Sequence, residues 1–180
     1  MLFNSFTYML FLPAVVLIYW TIPGRFRGSR ATLLLVASYI FYMNWKPAYG
    51  LLIFALTAIN YALGLALEKF AARKKPILIA GLIFNLGCLC FFKYANFILG
   101  SIFSSVHGLN ALFMPDQADN WASPALKIIL PLGISFFTFE FIHYIVDVYR
   151  GSAAVRNFRD FALFAAFFPS QIAGPIKRFQ

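Results

Sequence analysis

The chain has 180 residues and a mass of 20.4 kDa, which by length alone allows one compact domain. Its composition excludes a water-exposed globule: 62% of residues are hydrophobic, 12% are charged and mean hydropathy is +0.78, whereas soluble domains run at roughly half apolar and a quarter charged. With 23 Phe and only 2 Cys, it is also no disordered, collagen-like or disulfide-stapled chain. The net charge of +9 would suit a nucleic-acid partner only if the basic residues shared one solvated face. They cluster instead at the ends of apolar runs, as the positive-inside rule places them. The expected partner is therefore a lipid bilayer and not a nucleic acid.

A spanning helix needs about 20 apolar residues. The first run, 6–22, ends at Pro23-Gly24 and is followed, not preceded, by Arg25, Arg27 and Arg30. It therefore reads as an uncleaved anchor with the N-terminus outside. A short second run, 31–43, stops at Asn44-Trp45-Lys46-Pro47; a third, 48–67, is opened by Pro47. These two could also form a hairpin. A fourth, 76–92, follows the basic loop of Lys69, Arg73, Lys74 and Lys75. Over 94–106 the apolar residues recur at helical spacing with Asn96, Ser101, Ser104 and Ser105 between them, which predicts a separate amphipathic helix in the interface. A polar loop, 107–123, carries His107, Asp116 and Asp119. The fifth run, 125–149, has Pro131 and Gly133 near its start, which should kink it or admit a close neighbour. A short broken segment, 158–176, ends the chain's apolar pattern.

Basic residues alternate between loops: Arg25, Arg27 and Arg30, then Lys69 to Lys75, then Arg150, Arg156 and Arg159 fall on one side. That predicts a multi-pass protein of the plasma (inner) membrane with these loops in the cytoplasm. The fold class is all-α, a polytopic transmembrane helical bundle with an in-plane or re-entrant C-terminal segment. No internal repeat supports an inverted-repeat transporter. Cys88 and Cys90, two apart, point to nearly opposite sides of a helix and read as buried, inert thiols.

Glu140, His143, Asp147 and Arg150 are spaced 3, 4 and 3 apart and so share one helical stripe. Ionisable groups at membrane depth are costly and face protein or water-filled cavities. Either the acids pair with His143, Arg150 or another base to hold the bundle, or the stripe lines a polar path. Glu140-x-x-His143 matches one arm of a di-metal bundle site, but no second arm exists among two His and six acids, and no metal is assigned. HExxH and GxSxG are absent, and no Ser or Cys is set up as an activated nucleophile. The segment Phe168-Pro-Ser-Gln171-Ile-Ala-Gly-Pro-Ile176, with Lys177 and Arg178 after it, breaks any helix between apolar flanks. Such backbone at membrane depth lines a cavity or is buried by protein, or else the segment is a helix end meeting lipid headgroups. From the residues alone, the catalytic set is incomplete.

Leu130-Pro-Leu-Gly-Ile-Ser-Phe-Phe-Thr-Phe139, Asp147-Val-Tyr-Arg-Gly151, Asn157-Phe-Arg-Asp-Phe161 and Phe168 to Ile176 resemble the membrane-bound O-acyltransferases. So do Leu2 to Phe6, Ser38 to Tyr42, Trp45 to Pro47 and Phe92 to Asn96, with the closest likeness to the bacterial branch that acetylates alginate and other exopolysaccharides. The resemblance implies the N-terminal portion (1–180) of an enzyme that transfers an acyl group, most simply acetyl, to hydroxyls of a cell-surface polysaccharide. It implies a donor such as acetyl-CoA or an acyl carrier, with no resident cofactor. The implied partners are the C-terminal half, expected to carry the family's catalytic histidine beyond Gln180, and polysaccharide-modifying envelope proteins. His143 does not occupy that histidine's position and receives no catalytic role. Relatives commonly carry Gln where Glu140 stands and a small polar residue where His143 stands. Glu140, His143, Asp147, Gln171, Lys177 and Arg178 are the candidates for a substrate path or for supporting a site. Two alternatives compete: a truncated, non-catalytic membrane subunit of an envelope-polymer modification complex, or D-alanyl transfer toward teichoic acid.

Overall fold

A computed structural model describes residues 5–113, 131 and 133–170. Among these residues the only regular structure is helical. The elements are α1 (Phe6–Thr21), α2 (Arg27–Trp45), α3 (Pro47–Lys69), α4 (Lys74–Phe113), α5 (Ile134–Tyr149) and α6 (Phe158–Ala166), with short 3-10 turns at Ala71–Arg73 and Phe168–Ser170. Two stretches, Pro47–Lys69 and Ala71–Ala95, are long and apolar enough to cross a membrane. The chain divides into two compact units, one of residues 1–85 and 132–180, the other of residues 86–131.

Local signals explain three of the helix starts. The Ser5 side chain caps α1 by accepting from the Tyr8 amide at 3.2 Å. Pro47 sits in the first turn of α3, where its missing N–H leaves nothing unpaired. Asn157 caps α6 by accepting from the Arg159 amide at 3.0 Å.

Several expected boundaries shift. The second run, read as 31–43, becomes a helix over Arg27–Trp45, so Arg27 and Arg30 lie in the helix rather than in the loop before it; arginine is a good helix former and loses little freedom there. The fourth run and the separate interfacial helix expected over 94–106 belong to one 40-residue helix, α4, which continues through His107 to Phe113, the start of the expected polar loop. A lone Lys93 and scattered serines are not stop signals, and no proline lies between Pro76 and Phe113. The fifth run is expected from residue 125, yet α5 begins only at Ile134. Gly133 adopts a left-handed φ of 74°, which ends any helical path from the N-terminal side and lets a new helix start. Residues 125–130 lie outside the described residues. Cys88 is half-buried but Cys90 is exposed, a correction to the expectation of two buried thiols, and one that follows from their opposite directions on α4.

In the first unit, α2 packs on α1, α3 and α6, and α3 packs on α5 and α6. Phe41, Ile53, Leu67, Phe137, Phe141, Ile145, Phe161 and Phe168 form its fully buried apolar interior. The helix α6, nine residues long, extends about 14 Å. Its buried face is Phe161 with three alanines, Ala162, Ala165 and Ala166, so its backbone can approach α2 and α3 closely. Of the second unit, the described part is α4 from Leu86 onward and Pro131. There Phe91, Phe97, Ile98 and Ile102 are exposed.

Candidate functional site

The acid–histidine stripe lies on α5. The Phe136 and Phe137 amides donate to the Gly133 carbonyl at 2.8 and 3.2 Å, which sets the helical phase just upstream of the stripe. Glu140 is buried, His143 and Asp147 are half-buried, and Arg150 is exposed just past the helix end. The stripe thus grades from the interior to the surface along one face. Among the described residues no ion pair joins His143, Asp147 or Arg150 to an opposite charge. The Nδ1 atom of His143 is buried and has no hydrogen-bond partner among the described residues. The Tyr39 hydroxyl on α2 is in the same condition. Such orphaned groups are rare and costly.

The segment after α5 is tied down tightly. Gly151, at φ 115°, makes the turn. The Glu68 carboxylate at the end of α3 accepts from the Ala154 amide at 3.3 Å and from Arg156 at 2.8 Å. Tyr144 accepts from the Val155 amide at 3.3 Å, and the Tyr61 hydroxyl donates to the Arg156 carbonyl at 2.7 Å. Side chains of α3 and α5 thereby fix residues 154–156, which aims α6 back into the bundle. Beyond α6, the Phe168 amide donates to the buried Ser38 hydroxyl at 3.3 Å, and Ser38 in turn donates to the Leu34 carbonyl at 2.7 Å. The Phe168 ring stacks among Phe11 and Phe41, each at 5.5 Å, and Tyr8 at 6.5 Å. The broken segment therefore begins inside the first unit rather than on its surface. Gln171, Lys177 and Arg178 lie outside the described residues.

A second polar feature is one that sequence reasoning overlooks. Asn60 on α3 and Asn85 on α4 exchange side-chain hydrogen bonds at 3.1 and 2.8 Å, and each amide also donates to the carbonyl four residues before it, at 2.9 and 2.8 Å. Both residues are essentially inaccessible. The signal is an amide in the middle of each of two apolar runs, and such residues join helices across a membrane interior. Among the described residues no group of three or more His, Cys, Asp or Glu side chains is placed to hold a metal ion.

Comparison with known proteins gives the remaining line. No family model matches the chain, and no solved structure matches it. A probable alginate O-acetylase of Azotobacter vinelandii is 40% identical over 185 aligned residues, covering 100% of this chain and 35% of that protein. One from Pseudomonas syringae pv. tomato is 41% identical over 98% of this chain and 32% of its own length. Over the part it spans, the chain is similar to alginate O-acetylases, a likeness that fits the membrane-bound O-acyltransferase family. It spans about a third of the length of these O-acetylases. A peptidoglycan O-acetyltransferase of Helicobacter pylori is also similar, 33% identical over 79% of this chain and 30% of its own length. The likeness to O-acetylases therefore extends to a relative named for a different envelope polymer.

Proposed function

We propose that the chain is the N-terminal, membrane-embedded portion of an O-acyltransferase that moves an acetyl group onto hydroxyls of a cell-surface polysaccharide such as alginate. The observation that carries this reading is about 40% identity, from end to end of the chain, to proteins named alginate O-acetylases. The protein sits as a multi-pass helical bundle in the inner membrane, N-terminus outside, with Arg25, Arg27 and Arg30, Lys69 to Lys75, and Arg150 to Arg159 in the cytoplasm. Two helices of spanning length support a bundle of this kind. The helix α6, about 14 Å long against about 30 Å of hydrocarbon, is too short to cross and is packed on α2 and α3. That supports an in-plane or re-entrant C-terminal segment.

Acyl transfer to a hydroxyl needs a base near the acceptor oxygen and a site closed to water, because hydrolysis competes. In this reading the catalytic histidine comes from the C-terminal half, and the donor is acetyl-CoA or an acyl carrier. The stripe of Glu140, His143 and Asp147 lines the path to that site. The buried, unpartnered Nδ1 of His143 is a polar position that a substrate or the C-terminal half would satisfy. Gln171 continues the path, Lys177 and Arg178 meet headgroups or donor phosphates at its cytoplasmic end, and envelope proteins of polysaccharide modification complete the assembly.

A chimera tests the reading. This chain replaces the corresponding N-terminal part of the Azotobacter vinelandii protein in a strain lacking that gene, and polymer acetyl esters are measured by proton NMR. Restored acetylation is expected. A chimera present in the membrane at normal abundance that leaves the polymer unacetylated would refute it.

A further inference from the structure

Two cavities of the first unit adjoin each other along α1. The first, about 190 Å³, is an apolar slot between Leu12, Val15, Val16 and Trp20 of α1 and Phe167 and Phe168 beyond α6. The second, about 450 Å³, is lined by Gly24, Arg27, Arg30 and Leu163. Tyr19 and Leu34 border both, so a basic mouth and an apolar slot adjoin at these two residues. From Tyr19 to Leu12 the slot follows α1 for about 10 Å.

The mouth carries the exposed Arg27 and the half-buried Arg30. Among the described residues no acidic side chain lines either cavity. Arg27 has no hydrogen-bond or ion-pair partner among the described residues. Arg30 is held rigidly: its Nε and Nη2 donate to the Ile22 carbonyl at 3.0 and 2.7 Å, and its guanidinium lies 4.7 Å from the Tyr19 ring centre and 5.8 Å from that of Trp20. Its Nη1 is left without a partner among the described residues. Both arginines stand in the first turns of α2, where the helix dipole disfavours cations, and α2 has neither an acidic residue in its first turn nor a side-chain cap. An anion at this place would relieve all three conditions at once.

We infer that the mouth and slot together hold one anionic glycerophospholipid of the cytoplasmic leaflet, its phosphate between Arg27 and Arg30 and an acyl chain in the slot. A free phosphate would leave the slot unused. A zwitterionic lipid would bring a phosphate but also its own cation, and so add no net negative charge to the mouth. The exposed Leu17 and Trp20 next to the slot give the chain a continuous apolar route from the surrounding lipid. This site goes beyond the acyltransferase reading and needs no acyl transfer.

The test uses the full-length protein in lipid nanodiscs and the quenching of Trp20 fluorescence by bromine-labelled acyl chains, with Trp20→Phe isolating that signal. Brominated phosphatidylglycerol is titrated against brominated phosphatidylcholine. The anionic lipid is expected to half-quench at a mole fraction at least about fivefold lower, the preference that one arginine near a phosphate contributes. Arg27→Gln, which removes no intramolecular bond, should lower that preference about fivefold. Val16→Phe, filling the slot, should abolish quenching by the anionic lipid at low mole fraction. Equal curves for the two lipids would overturn the proposal, as would an unchanged preference in Arg27→Gln or competition by inorganic phosphate alone. Because nothing here reads acetylation, failure of this site and failure of the enzyme assignment are distinguishable.

Discussion

Replacing Asn60 by leucine is the sharpest perturbation of the bundle, because Asn60 and Asn85 are 0% and 1% exposed and serve each other as donor and acceptor. Leucine shares the branching of asparagine at Cγ but is larger, so each single variant also adds some overpacking at this buried contact. What also changes is Asn85, whose Oδ1 loses its donor and whose N–H loses the Asn60 oxygen while keeping the Gly81 carbonyl. Stranding buried polar groups costs about 1–3 kcal/mol in water-soluble proteins. In membrane proteins one interhelical hydrogen bond averages about 0.6 kcal/mol and reaches about 1.7. Two reciprocal bonds therefore predict a loss of about 1–2 kcal/mol for Asn60→Leu and a similar loss for Asn85→Leu. The double variant should fall well short of the sum, since two leucines at a helix contact strand nothing. Denaturant unfolding of the full-length protein in bicelles measures all four corners of the cycle. If the two losses simply add, the amides do not act on each other, and the reasoning fails.

Gly64→Ala should destabilise by about 1–3 kcal/mol in thermal unfolding, because its new methyl would overlap the Tyr144 hydroxyl and lie 2.5 Å from Cε1 and 2.6 Å from Cζ of that ring. The ring cannot retreat easily, being held by Phe161 at 4.5 Å and by the Val155 amide; in a Tyr144→Ala background, where the clashing ring is gone, the same glycine substitution should cost less. At the end of α3, Glu68→Ala should cost more than Arg156→Ala in the same assay. The exposed ion pair is worth under about 1 kcal/mol, whereas Glu68 also receives the Ala154 amide; equal effects would contradict this. In the full-length protein, Glu140→Ala or Asp147→Ala should lower polymer acetylation measured by NMR at unchanged membrane abundance. Unaltered acetyl content in both would remove the stripe from the path.

Much of the bundle is legible in the order of residues, because the bilayer as solvent imposes a coarse code. Uninterrupted apolar length marks the helices, and proline at 47 and glycine at 133 punctuate them. The stripe on α5 follows from spacing alone, since a helix places residues three and four apart on one face whatever surrounds it. The continuity of the fourth run with 94–106 is harder to see, because serines at surface positions weaken an apolar pattern without breaking a helix.

What the amino-acid order could not settle is which polar groups meet. Asn60 and Asn85 are 25 residues apart, and Ser38 and Phe168 are 130 apart; no periodicity links them, and only the approach of α3 to α4 and of the last turn to α2 brings them within hydrogen-bond reach. The same holds for the basic mouth and its apolar slot, whose walls come from three separated stretches of chain. Composition decided that this protein belongs in lipid, since apolar surface on that scale has no other stable solvent. Tertiary packing decided where its few polar atoms could be satisfied, because in an apolar interior a hydrogen-bond partner must come from another part of the same chain.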